Sequence, residues 1–99
     1  MIKVEVTKKN ISIHGHAMYA DFGKDIVCAA VSSIVMTSVE SIASINEAAI
    51  DLKENQDGLD IIINKHDDIT NKLINTMLTL LDELAKKYPK NIKITNKEE

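Results

Sequence analysis

The chain has 99 residues, is 44% hydrophobic and 27% charged, and carries a formal net charge of −3. That length does not supply two domains with separate cores, and that apolar content is too high for a disordered chain. All twelve cations are lysines and only three residues are aromatic, so the chain lacks the guanidinium forks, basic surface and stacking platforms of a nucleic-acid binder.

Ile2, Val4 and Val6 alternate with Lys3, Glu5 and Thr7, the period of a half-buried strand. Lys8-Lys9-Asn10 reads as a turn, and Ile11 and Ile13 alternate with Ser12 and His14 as a second strand. Residues 15–24 have no clean period and contain two glycines, the mark of a loop. From Asp25 the pattern becomes helical: Val27, Val31, Ile34, Val35, Val39, Ile42, Ile45, Ala49 and Leu52 recur at spacings of three and four. ENQDG at 54–58 ends that helix, and the β-branched run Leu59–Ile63 suits an inner strand. His66-Asp67-Asp68 supplies capping and first-turn acids for a second helix, with a stripe of Ile69, Leu73, Met77, Leu80, Leu81, Leu84 and Tyr88 before Pro89. Ile92 and Ile94 mark a last strand. The expected order is ββαβαβ, an α+β fold (a two-layer α/β sandwich) with a small mixed sheet and two helices packed on one face. Residues 1–95 form the single domain and 96–99 a polar tail.

One cysteine cannot form an internal disulfide, which suits a reducing cytoplasm. No HExxH or CxxC is present, so neither metal nor cofactor is expected. No apolar run approaches the ~18–20 residues of a membrane span, and MIKVEVTKKN lacks a secretory apolar region, so no membrane partner is expected.

The unusual stretch is GHAMYADFGKDIVCAAVS, residues 15–32. With Asp25 as N-cap, Cys28 falls at the third helical position, where the positive end of the helix dipole favours a thiolate. The alternative is plain packing, because cysteine is among the most buried residue types and Ala29-Ala30-Val31 follows. His16 lies just past a strand end, where catalytic and surface histidines both occur. Gly15 before it permits a backbone conformation that aims the ring toward the helix start. His14 is expected on the open side of the sheet, and His66 in a solvated turn.

This stretch resembles the signature of the ribosomal-processing cysteine proteases, the small bacterial Prp family. The residues are Gly15-His16-Ala17 and, further on, Gly23-Lys24-Asp25-Ile26-Val27-Cys28-Ala29-Ala30-Val31-Ser32. The resemblance implies a cysteine endopeptidase with Cys28 as nucleophile and His16 as general base. It also implies the substrate, a precursor of the twenty-seventh large-subunit ribosomal protein with an N-terminal extension, and a homodimer. Free amides in the first helical turn would serve the oxyanion. Asp25 caps the helix or orients His16. Ser32, four residues after Cys28, shares its helical face as a hydrogen-bonding group or as packing. Gly15, Tyr19, Phe22 and Gly23 are read as a substrate loop, hinged at its glycines, that orders over a hydrophobic peptide. Two competing functions remain open: a non-enzymatic ribosome-associated binding module and a thiol redox sensor.

Overall fold

In the computed structural model, which describes residues 1–15 and 22–97 except the side chains of 22–25, the first alternating segment is β1, Ile2–Val6. Thr7 closes the turn into β2, Asn10–His14, its Oγ1 accepting from the Asn10 amide at 3.0 Å. There follow α1 (Phe22–Ile45), β3 (Ile50–Asn55), β4 (Gly58–Ile63), α2 (Asp68–Lys87) and β5 (Ile92–Asn96). The five strands lie in the order β3-β4-β2-β1-β5. β1 and β5 are parallel, and the other neighbouring pairs are antiparallel.

The register places Val4 beside Ile13 and Ile94, and Ile11 beside Ile61, so the isoleucines and valines share one face. Val27, Val31, Val35, Val39 and Ile42 of α1, and Ile74, Met77 and Leu81 of α2, are buried in the same core. Lys3, Glu5, Ser12 and His14 fall on the opposite, more open face. The mixed sheet with two helices on one side is the α+β class expected.

The element order differs by one strand. Ala49 and Leu52 do not extend α1, which stops at Ile45. The Asn46 side chain accepts from the Ala48 amide at 3.0 Å, and its carbonyl accepts from Ala49 at 3.0 Å, bending the chain out of the helix. The order is therefore ββαββαβ. In β3 only Ile50 is buried, so this edge strand leaves almost no apolar signature. The start of α1 also moves, from Asp25 to Phe22. Gly23 costs a helix interior about 1 kcal/mol against alanine, a small penalty beside the buried valine stripe that follows. Phe22 and Gly23 are thus helical rather than loop residues, and Asp25 is the fourth helical residue rather than the N-cap. At the other end β5 runs through Asn96, and the Lys97 amide donates to Val6 O at 2.7 Å, so the polar tail begins later than residue 96.

Ile26–Ile45 is long and apolar enough, by length and composition, to cross a membrane, contrary to the expectation that no segment would be. Its inward stripe packs in the core shared with the sheet.

The second helix starts where expected, with Asp67 as N-cap accepting from the Thr70 amide at 2.9 Å. Its buried row is Thr70, Ile74, Met77 and Leu81, rotated from the expected stripe, while Ile69 and Leu80 are exposed. Leu81 is 0% exposed and its neighbour Leu80 42%. Leu81→Ala is expected to cost about 2–5 kcal/mol in urea unfolding, and Leu80→Ala less than about 1 kcal/mol. Equal losses would contradict this helix rotation.

The Thr70 amide and hydroxyl hold the Asp67 carboxyl below its ordinary range. Because the folded group is the stronger acid, its stabilising effect is complete above the unfolded carboxylate pKa and disappears as pH falls through the lower folded value. Asp67→Ala should therefore lower Tm at pH 7, with the gap from the parent chain closing in strong acid.

Candidate active site

The packing of α1 leaves a groove of about 550 Å³ between that helix and the β3–β4 hairpin. That volume lies within the range of about 300–1,000 Å³ typical of ligand sites. One wall is the helix row Cys28, Val31, Ser32, Val35 and Met36; the other is the hairpin from Glu54 to Leu59; Ile2, Ile13 and Gly15 complete the lining. Apolar side chains dominate it, and its charged members among the described residues are Glu54 and Asp57, both acidic.

Cys28 is half-buried, free, and packed in part against the core. The packing reading of this residue is thus half right, since the thiol also lines the groove. Ser32 stands on the same wall one helical turn on, as the spacing predicts. With α1 opening at Phe22, Cys28 is its seventh residue, about 9 Å along the axis from the first. The free amides of the helix start belong to the turn before Cys28, not to Cys28 itself, and the dipole acts mainly within that first turn.

Gly15 follows β2 with φ +90°, a conformation open to glycine but rarely to other residues. A Cβ there would collide with the carbonyl oxygen of Met1. The Gly15 amide donates to the carbonyl of Asp57 at 3.0 Å, which ties the end of β2 to the hairpin turn. Beside it His14 lies between two carboxylates, Nε2 3.7 Å from Glu5 and Nδ1 3.7 Å from Asp57. Lys97 Nζ reaches Glu5 at 3.2 Å and, with His14, holds that carboxyl below its ordinary range. His14 therefore belongs to a polar cluster on the open sheet face, and His66 is exposed, as expected for both.

The structure brings Gly15, Cys28 and Ser32 to one groove. His16 and Tyr19 lie outside the described residues, as do the side chains of Phe22 and Asp25. Among the described residues no three His, Cys, Asp or Glu side chains converge as a metal site. Sequence reasoning misses the hairpin wall because β3 reads as the end of a helix. Its signal is present: Asn55-Gln56-Asp57-Gly58 sits between Ile50, Leu52 and Leu59, Ile61, Ile63, two alternating runs around turn residues.

Comparisons with known proteins agree on the family and the fold. The profile of the family described as Cysteine protease Prp matches residues 1–93. The Ribosomal processing cysteine protease Prp of Mycoplasma genitalium is 32% identical over 96 residues, covering 95% of this chain and 94% of its own. The crystal structure of the essential ribosomal processing protease Prp from S. aureus with a covalently linked product peptide superimposes with a TM-score of 0.87, at 26% identity, covering 98% of this chain and 100% of that one. The same S. aureus protease with a substrate peptide gives a TM-score of 0.85 at 27% identity, with the same coverage.

The geometry at Gly15 has a direct consequence. Gly15→Ala forces a side chain into the left-handed region against Met1 and should destabilise the fold by ~1–3 kcal/mol. Urea denaturation would register this, and an unchanged midpoint would show that the end of β2 can relax.

Proposed function

The chain belongs to the cysteine protease Prp family, and on that premise we propose that it removes the N-terminal extension from the precursor of the twenty-seventh large-subunit ribosomal protein. It is a cysteine-type peptidase. The observation that carries the finer reading is the placement of Cys28, the chain's one thiol, on the wall of a peptide-sized groove. The fold around that groove matches that of a protease holding a substrate peptide.

In this reading Cys28 is the nucleophile and His16 the general base. His16 takes the proton from Sγ, and the sulfur forms a bond to the scissile carbonyl carbon while the C=O electron pair moves to oxygen. The donors assigned to that oxyanion are the free amides of the α1 turn that precedes Cys28, not an amide of Cys28 itself. As the oxyanion collapses the C–N bond breaks, His16 returns its proton to the departing amine, and the acyl group stays on sulfur as a thioester. Water then gives a proton to His16 and adds to the thioester carbon. Expulsion of Sγ, which recovers its proton, releases the carboxylic acid. The chemistry uses a thiol, an imidazole and water.

α1 opens at Phe22, so Asp25 is its fourth residue rather than its cap, and orienting His16 is the other role the sequence offers it. Ser32, exposed on the same wall as Cys28, is assigned a hydrogen bond to the bound peptide. The apolar lining suits a hydrophobic segment next to the cleaved bond. The reaction belongs in the cytoplasm and to a homodimer, as the family resemblance implies.

Mass spectrometry of the precursor peptide, incubated with the parent chain and two variants, tests the assignment. The parent should make one cut, Cys28→Ala none, and His16→Ala one slowed by about 10²–10⁴-fold. No cut by the parent, or equal cutting by both variants, would reject the reading in favour of a binding module or a redox-active thiol.

A further inference from the structure

The turn joining β3 to β4 takes part in two structures at once. Asn55, Gln56 and Asp57 line the groove that Cys28 also lines. The same turn grips the end of β2. The Asp57 carbonyl accepts from the Gly15 amide at 3.0 Å, and its carboxylate stands 3.7 Å from His14 Nδ1. Gly58 pairs with His14 so closely that a Cβ on Gly58 would strike the backbone of Ile13 and His14. Within the turn, Asn55 Oδ1 accepts from the Asp57 amide at 2.8 Å. This side-chain-to-backbone bond spans two residues, the pattern by which asparagine sets a local turn. It fixes the peptide unit whose neighbour carries the carbonyl that holds Gly15.

Gly15 immediately precedes His16 in the chain. Its amide is bonded to the Asp57 carbonyl, and the Met1 carbonyl lies so close on another side that no Cβ would fit. Resting on the assignment of His16 and Cys28 as the dyad, we infer that Asn55 is a positioning residue for proteolysis. Through Asp57 and Gly15 it fixes the residue to which His16 is joined. A peptide in the groove would lie against the same turn that anchors Gly15. Asn55 itself takes no proton and needs no contact with the reacting atoms.

The full chain is tested with Asn55→Ala, which removes the acceptor, and Asn55→Asp, which keeps an oxygen at its place. The readouts are kcat and KM on the precursor peptide, Tm, and the pH profile of Cys28 alkylation by iodoacetamide, with His16→Ala as reference. Asn55→Ala should lower kcat about 10–100-fold, since small misplacements of a catalytic group carry costs of that size, with KM within about twofold. Its alkylation profile should move toward that of His16→Ala, and Asn55→Asp should restore both readings.

A lowered Tm with unchanged kcat and alkylation profile would make Asn55 merely structural and overturn the inference. A rise in KM alone would make it a substrate contact and overturn it equally. A parent chain that makes no cut defeats the proposed function, and alkylation then decides the role of Asn55 by itself. Coincident parent and Asn55→Ala profiles reject that role, as does a His16→Ala profile identical to the parent's; a displaced Asn55→Ala profile sustains it. If Asn55→Ala does not fold, Asn55→Ser, with a shorter acceptor, is judged by the same readings.

Discussion

The burial of one stripe of α1 determines where the groove stands. Val27, Val31, Val35, Val39 and Ile42 are all buried in the core shared with the sheet. Successive helical residues are turned by about 100°, so fixing Val27 inward directs Cys28 to the flank. Ser32 after Val31 and Met36 after Val35 follow the same rule, and these flank residues line the helix wall of the groove. Rotating the helix to bury the thiol would expose aliphatic side chains, each worth about 1.5–3 kcal/mol when buried. Five such residues outweigh one half-buried thiol, so the core holds Cys28 at the edge of the groove.

That dependence also explains what can be read from sequence. β1, β2, β4 and β5 are legible because each carries alternating or continuous β-branched residues facing the core. The second helix is legible at its start, since Asp67 both announces and makes the cap. Its rotation is not. Apolar residues cover so much of its circumference that spacing alone does not decide whether Ile69 and Leu80, or Ile74, join Met77 and Leu81 in the core. Thr70 tips the choice the wrong way. It is buried despite its hydroxyl because Asp67 satisfies both its amide and its hydroxyl. β3 is easily misread for the opposite reason. An edge strand burying only Ile50 shows few apolar residues, and Ala49 and Leu52 continue the helical spacing by coincidence.

The candidate site divides along the same line. Cys28 and Ser32 lie in one contiguous stretch, so they stand out as part of a motif in the bare sequence. The rest of the groove comes from residues far apart in the chain: Ile2, Ile13 and Gly15 at one side, Glu54–Leu59 at the other. Their proximity depends on β2 and β4 lying side by side, with His14 opposite Gly58. Strand pairing of this kind is set by register and turns, which a single sequence expresses weakly.

This separation bears on how a small peptidase can vary. The proposed nucleophile stands on a helix whose orientation the core dictates, so changes at Cys28 or the valines behind it strike chemistry or stability. The hairpin wall lies on an edge with most of its side chains exposed. Side chains there can change with little loss of core burial while altering the charge and shape that meet a peptide. The backbone of the turn has less freedom, because the Asp57 carbonyl holds Gly15 and Gly58 packs against β2. Selectivity can therefore change through Glu54 or Gln56, whereas the path of the chain from Asn55 to Gly58 is constrained by the strand it supports.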